Sequence, residues 1–336
     1  MTLITRRQGL ALLAAAAATP FMPHVARAQA KPLVLGVQFG LPYLGFLVAE
    51  SRGLFRKHAE AEGADVSFEI KRLSGPTALT EGLLSNTIHI AALGMLPLLI
   101  GYNKSRGSYD MGGISGYWKG TYTIFANDPA IHSVADIRPT DKIAVPGPNS
   151  SQALVLRRAA AKLFGPGEAK RFDRQLVSLP HPDAVAALTT GNTVQVYFAT
   201  SPFAEILASS PNVHVIGTSR EFNPPGMSNG VVAGLSATVR DNPKAIRAFL
   251  AALDEGNRFI PANPEETARI YFAAEPSSLT DAQKIEVIRN NVDEYAITPN
   301  GVIETASFMV SLGQLPQAPA RWQDVFFPPV NAGAGS

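Results

Sequence analysis

Cysteine does not occur anywhere in the 336 residues. Its absence excludes a disulfide scaffold, a thiolate-bound metal and a lipidated cysteine behind a leader, so no covalent staple supports the core. Long apolar runs are missing too. The most alanine-rich stretch, Leu10–Ala18, is far shorter than the ~20 residues a spanning helix needs, so a membrane anchor is not expected. No lysine-rich tract argues for nucleic acid or an anionic membrane. The six histidines, at 24, 58, 89, 132, 181 and 214, have no metal-ligand spacing, and no His-Glu-x-x-His pattern occurs. A Gly-x-Ser-x-Gly elbow, a Walker-type loop and a Gly-x-Gly-x-x-Gly turn after the first apolar strand are likewise absent. Paired acids such as Glu265-Glu266 fall in the first turn of an expected helix, where the macrodipole accounts for them. An enzyme, a metal and a cofactor are therefore not expected.

What is present begins with two adjacent arginines. Arg6-Arg7 precede the run Leu10–Ala18, and Ala28-Gln29-Ala30 supplies the small-x-small pattern of a signal-peptidase site. Residues 1–30 thus read as an export leader. The arginine pair points to twin-arginine export, and Gly9, where a large apolar residue usually stands, keeps general secretion open. The leader contains Arg6, Arg7 and Arg27 and no acid, so its removal takes 29 basic residues to 26, against 27 acidic ones. The basic balance belongs to the leader. About 300 residues remain, enough for one large domain or two lobes, expected to be soluble, monomeric and periplasmic, with no lipid anchor.

Alternation organises the rest. Strands are expected at 33–39, 65–73 and 88–93, with helices over 43–61, 77–85 and 96–104 between and after them. After Ala126 the pattern returns: strands at 142–145, 174–179 and 194–198, helices over 151–164, 183–190 and 203–209. Such alternation implies α/β architecture with parallel sheets. The C-terminal third reads as successive helices, Pro243–Phe259, Pro264–Phe272, Thr280–Val292 and Val302–Leu312, and the tail FFPPVNAGAGS is expected to fray beyond its aromatics. An internal repeat supports two similarly built halves. PTALTEGLLSNTIHI (76–90) superposes without a gap on PDAVAALTTGNTVQV (182–196), pairing Pro76 with Pro182 and Asn86 with Asn192.

In doubly wound sheets, ligands sit beyond the carboxyl ends of the strands, where helix N-termini present free N–H groups. Those strand ends read Gln38-Phe39-Gly40-Leu41-Pro42-Tyr43, Ser74-Gly75-Pro76 and Gly94-Met95, then Gly147–Gln152, Pro180-His181 and Ala199–Pro202. They are rich in hydroxyls and amides and almost free of charge. Each alone is explained equally well as a cap or turn; together they suit a cleft whose donors hold an anion without arginine. Tyr117-Trp118-Lys119, before the strand-like YTIFAN, is either hinge packing or a stacking platform for a planar ligand. FNPPGMSNG (222–230) is a candidate return crossover. Lys119 and Arg220 are the basic groups close to these positions.

Glu50-Ser51-Arg52-Gly53-Leu54-Phe55, Gly75–Ala78, Ile90–Pro97 and Val134–Val145 resemble the solute-binding proteins of nitrate, sulfonate and taurine ABC importers, a group that includes proteins similar to binders of the thiamine pyrimidine precursor. The resemblance covers most of the chain after the leader. It implies a two-lobed periplasmic-binding-protein fold of type II, each lobe a mostly parallel sheet flanked by helices, with a hinge of two crossovers near 115–126 and 225–231. It places lobe 1 at 31–120 plus 228–330 and lobe 2 at 121–227. It also implies delivery of a small-molecule solute to an inner-membrane ABC permease. By position, the cleft residues it implies are Gln38, Phe39, Tyr43, Ser74, Gly75, Gly94, Met95, Tyr117, Trp118, Ser150, Ser151, Gln152, Thr200, Ser201, Phe222 and Asn229. Departures fall at the repeat strands, where His89 and Gln195 replace the aspartates common in the family, and Asn86 and Asn192 replace glycine. Yeast-type pyrimidine synthases share the scaffold but use a cysteine-rich motif that this chain lacks.

These readings converge on an exported, non-enzymatic protein whose lobes close over a small organic anion, either sulfonate- or nitrate-like or an aromatic or pyrimidine compound. The alternatives are a small-molecule lyase or synthase on the same fold, and a ligand-presenting partner of a receptor.

Overall fold

The computed structural model describes residues 32–191 and 193–336; the leader read at 1–30 lies outside them. The chain opens with strand β1 (Pro32–Val37), then helices α1 (Leu44–Ser51) and α2 (Leu54–Glu62), strand β2 (Ser67–Arg72), helix α3 (Pro76–Leu84), strand β3 (Ile90–Gly94), helix α4 (Met95–Ser105) and strand β4 (Met111–Trp118). A second series follows: β5 (Thr123–Ala126), β6 (Ile143–Val145), α5 (Ser151–Phe164), β7 (Leu176–Ser178), α6 (His181–Thr190), β8 (Val196–Ala199), α7 (Phe203–Ala208) and β9 (His214–Thr218). The chain then returns through β10 (Gly230–Leu235) into α8 (Ser236–Asp241), α9 (Pro243–Ala262), α10 (Pro264–Ala274), α11 (Asp281–Asn290) and α12 (Val302–Ser311).

The strands form two sheets of five, ordered β2-β1-β3-β10-β4 and β7-β6-β8-β5-β9. The orders correspond position by position. In each, one strand runs antiparallel to both neighbours, β10 between β3 and β4, β5 between β8 and β9. That strand is the one arriving from the other sheet, so the two crossovers, at 119–122 and 219–229, are built into the sheets they join. The sequence repeat follows the same correspondence, since α3 and α6 end, and β3 and β8 begin, at matching positions of the two copies. Asn86 holds φ 57° after α3, and after α6 the left-handed turn is taken by Gly191 at φ 78°. Either residue tolerates that conformation.

The departures from aspartate have a common explanation. His89 Nδ1 accepts from the backbone N–H of Val34 at 3.0 Å while its own N–H bonds to the Val34 carbonyl. Gln195 Oε1 accepts from Lys142 N–H at 2.9 Å, and its N–H bonds to the Lys142 carbonyl. Each side chain is the acceptor next to the point where β1 begins to pair with β3, or β6 with β8, a task any of Asp, Gln or neutral His performs.

Packing covers the first sheet more heavily than the second. Helix α9 places Ile246, Phe249, Leu253 and Ile260 on its buried face, and Phe249 stacks on Phe55 at 5.9 Å and Phe46 at 6.1 Å. Burying each such side chain contributes about 1.5–3 kcal/mol. Three sequence expectations are corrected. The single helix over 43–61 is two, because Gly53 sits at φ +66° after Arg52 ends α1. Tyr117-Trp118 does not belong to the crossover expected near 115–126 but to the end of strand β4, whose glycines hide it from a strand pattern. The tail does not fray, and the cause is the same: a Cβ on Gly113 would lie 2.3 Å from the Phe326 ring, and one on Gly112 2.7 Å from Phe327. The tail packs directly on β4, Phe327 N–H bonds to the Gly113 carbonyl at 2.8 Å, and Val302 N–H reaches the Ser336 carbonyl at 2.7 Å. Strand β9 (His214–Thr218) was not anticipated at all; its short edge position and exposed Val215 give no apolar alternation.

Candidate functional site

The carboxyl ends of both sheets face one another, and helices begin there. Pro76 opens α3, Gly94 caps α4, Ser150 caps α5 and His181 opens α6. All four residues line one small cavity between the lobes, of about 30 Å³. The rest of its wall comes from Gln38, Pro42 and Tyr43 beyond β1, Tyr117 and Trp118 at the end of β4, Tyr122 and Asn229 on the crossovers, and Pro146, Ser151, Gln152 and Thr200 from the second lobe. No Lys, Arg, Asp or Glu lines it. Four helix N-termini therefore supply the local positive potential, undiluted by acid.

The lobes are closed on this space. Leu41 N–H of the first bonds to the Ser201 carbonyl of the second at 2.8 Å. Ser151 Oγ donates to the Asn229 carbonyl at 2.8 Å. A Cβ on Gly94 would meet Ser151 Oγ at 2.2 Å, and one on Gly75 the Pro146 carbonyl oxygen at 2.6 Å. Leu154 of α5 joins a core cluster made otherwise of first-lobe and C-terminal residues. Glycine at the rim is what lets the lobes approach this closely.

Inside, the polar groups are neutral. Gln38 Nε2 donates to Tyr43 Oη at 2.9 Å, and the Tyr43 and Tyr117 rings stack at 5.6 Å. Burial raises the phenol pKa of Tyr43, Tyr117 and Tyr122, so all three stay protonated. His181 hydrogen-bonds Tyr197 through Nδ1 and stacks on Phe203 at 5.5 Å; burial pushes its pKa down to about 4, leaving it neutral. Thr200 is 1 % exposed and its hydroxyl has no partner among the described residues. An unmet buried hydroxyl costs about 1–3 kcal/mol, which a bound acceptor or donor recovers. Trp118 makes a tilted edge contact with Tyr122 at 5.2 Å and donates Nε1–H to Glu294 at 2.9 Å. Glu294 also accepts from Thr121 N–H at 3.3 Å, and burial pushes its pKa up to about 7.

Ten of the sixteen expected residues meet here: Gln38, Tyr43, Gly94, Tyr117, Trp118, Ser150, Ser151, Gln152, Thr200 and Asn229. Two of them have roles within the protein. Ser150 Oγ caps α5 by accepting from Ala153 N–H, and the Ser151 hydroxyl is the interlobe bond described above. Six stand elsewhere. Gly75 forms the lobe–lobe contact with Pro146. Ser74 is exposed, and Met95 points into the first-lobe core with Leu96 and Leu99. Phe39 packs against the second lobe's core cluster outside the cavity. Ser201 Oγ donates to Glu205 at 2.8 Å. Phe222 lies under the Lys162 ammonium at 5.7 Å. These residues sit at the right strand ends, but a loop turns successive side chains in different directions, which position in sequence does not reveal. Tyr122 and Glu294 were missed; only the nearness of Tyr122 to the crossover hinted at it. Lys119 and Arg220 lie in a separate hinge-side pocket. Among the described residues no cluster of three or more His, Cys, Asp or Glu is placed to hold a metal.

Searches of protein-family models and of curated protein sequences find no match to this chain. Solved structures do match. The chain superposes on the alkanesulfonate-binding protein SsuA of Xanthomonas axonopodis pv. citri, bound to MOPS, with TM-score 0.70 and 17 % identity over 90 % of this chain and 98 % of that one. The periplasmic aliphatic sulphonate-binding protein SsuA of Escherichia coli gives 0.65 and 19 % over 90 % and 99 %. The periplasmic nitrate-binding protein NrtA of Synechocystis gives 0.60 and 17 % over 77 % and 70 %. The protein has the two-lobed α/β periplasmic-binding-protein fold.

Proposed function

We propose that the chain is the exported solute-binding component of an ABC importer, capturing a small organic anion between its lobes and delivering it to an inner-membrane permease. The observation that carries this reading is the convergence of four helix N-termini on a cavity without a charged side chain. N–H groups there neutralise a single negative charge, and hydroxyls and amides orient it. Thr200, Gln152, Gln38 and Tyr43 are the side chains proposed to touch the guest, with Tyr117 and Trp118 against its apolar part. The sulfonate- and nitrate-binding proteins of like fold support the same class. The lobes are proposed to divide as 31–120 with 228–330, and 121–227, with residues 1–30 directing a monomer to the periplasm. Burial keeps His181 and the three cleft tyrosines uncharged, so a guest there meets dipoles and no side-chain charge.

A thermal-shift panel of sulfonates, nitrate, carboxylates, aromatic acids and pyrimidines tests the reading. One member should raise Tm; at a thousandfold excess over Kd the native state gains about 4 kcal/mol. Thr200→Val and Gln152→Ala should abolish that shift. If no member moves Tm and Trp fluorescence stays flat, the chain is not a binder of these solutes.

A further inference from the structure

We propose that the hinge carries a second binding site, for a small organic di- or tricarboxylate, distinct from the cavity between the lobes. Behind the crossovers lies a pocket of about 550 Å³, within the range that holds small ligands. Its walls are the first crossover (Lys119–Thr121), parts of the second (Ser219, Arg220, Asn223–Met227 and Asn229) and Asn290, Asp293 and Glu294.

Its cations set the class of guest. Lys119 and Arg220 stand on its wall, and neither forms an ion pair among the described residues. Arg220 is held against the first crossover by one bond, Nε–H to Thr121 Oγ1 at 2.7 Å. That leaves the rest of its fork to grip a carboxylate side-on. A third cation lies just behind. Arg158 of α5 is 7 % exposed and bonds neutral groups only: NH1 to Asn223 Oδ1 at 3.2 Å, NH2 to Thr305 Oγ1 at 3.1 Å, with Met227 Sδ 3.0 Å from NH1. Burial lowers its pKa to about 10, an effect that the charge of Glu304 partly offsets. Asn223 and Met227, its contacts, are pocket wall. Against these stand Asp293 at the rim and Glu294, whose oxygens are turned to Trp118 and Thr121. On the wall two cations, Lys119 and Arg220, stand with two acids, Asp293 and Glu294, but both Glu294 oxygens are already bonded, and the two separated cations suit a guest with more than one carboxylate.

The pocket also touches the cleft. Asn223 Nδ2 donates to Asn229 Oδ1 at 3.1 Å, Asn229 Nδ2 donates to the Gly120 carbonyl at 2.6 Å, and Asn229 is wall to both cavities. A guest bonded to both crossovers ties them together and favours the closed form.

Citrate is the probe, titrated calorimetrically into the full chain at low and at physiological salt. The expected result is one site per chain, weakened by salt, with affinity reduced at least about tenfold in Arg220→Gln and in Lys119→Gln. Both residues are exposed, and Arg220→Lys, which keeps charge and loses the fork, should fall between. Thr200→Val, which removes a cleft contact, should leave citrate binding unchanged, so this proposal and the cleft reading fail separately. Absence of citrate binding at millimolar concentration overturns the proposal. So does binding that survives Arg220→Gln, or binding that is lost in Thr200→Val.

Discussion

The two lobes share a five-stranded plan and differ in what covers it. In the first, the strand corresponding to β9 is β4, buried along its whole length, with the C-terminal tail on Gly112 and Gly113 and residues 296–298 on Gly116. In the second, β9 stays at an edge with Val215 52 % exposed. One topology thus tolerates opposite sequences, glycine where another chain segment lies on the strand, β-branched residues where water does. The same contrast holds at the sheet starts, where a titratable His89 and a non-titratable Gln195 do one job.

The largest test of this asymmetry is at the rim. Gly75→Ala puts a methyl 2.6 Å from the Pro146 backbone oxygen, which cannot swing aside, whereas a Cβ at Gly147 on the opposite rim would sit 3.4 Å from Pro76 Cγ. We expect Gly75→Ala to hold the lobes apart, raising the radius of gyration in small-angle scattering and costing more than about 3 kcal/mol, over a hundredfold in solute affinity. Gly147→Ala should behave nearly as wild type. Equal effects at the two positions would remove the distinction.

Next comes Glu294, which belongs to the C-terminal cover and has its pKa raised by burial from 4.5 to about 7. The folded state binds this proton more tightly than the unfolded one, so its stabilising contribution is full below pH 4.5 and declines as pH rises to about 7. The upper bound is about 3 kcal/mol. Melting curves of wild type and Glu294→Gln between pH 5 and 8 should converge at the acid end and separate toward neutrality, the variant being the more stable. Parallel curves would deny the linkage.

A smaller effect separates β4 from β9. Gly113→Val drives a side chain into the Phe326 ring and should lower unfolding free energy by about 2 kcal/mol in urea. Val215→Ser on β9 should change it by less than about 0.5 kcal/mol. The smallest effect is at His89, whose pKa is lowered by burial. Its acceptor role is present above the unfolded value of 6.5 and is lost as pH falls through the lower folded one. His89→Gln should leave neutral-pH stability within about 1 kcal/mol and remove part of the acid sensitivity. An unchanged acid profile would show that Val34 finds another acceptor.

Alternation of strands and helices was readable from periodicity, and the repeat at 76–90 and 182–196 foretold two matched halves because each copy buries its strand in the same way. What escaped reading was set by distant segments. Nothing in Met111-Gly112-Gly113 announces a strand until Phe326 and Phe327 lie on it, and nothing near residue 294 announces that its carboxylate holds Trp118. The cleft was legible as a set of loops and only in part as side chains, since burial of Met95 and exposure of Ser74 depend on how each loop turns.

The antiparallel strand that each sheet receives from its partner has an implication for assembly on synthesis. Strands β5 to β9 are contiguous in the chain, so the later-made sheet can be finished once Thr218 has emerged. The earlier-made one must wait with a gap between β3 and β4 until Gly230–Leu235 arrives to fill it. The half that starts first is completed last, and through that interval its unpaired edges are the part of the nascent chain most in need of protection.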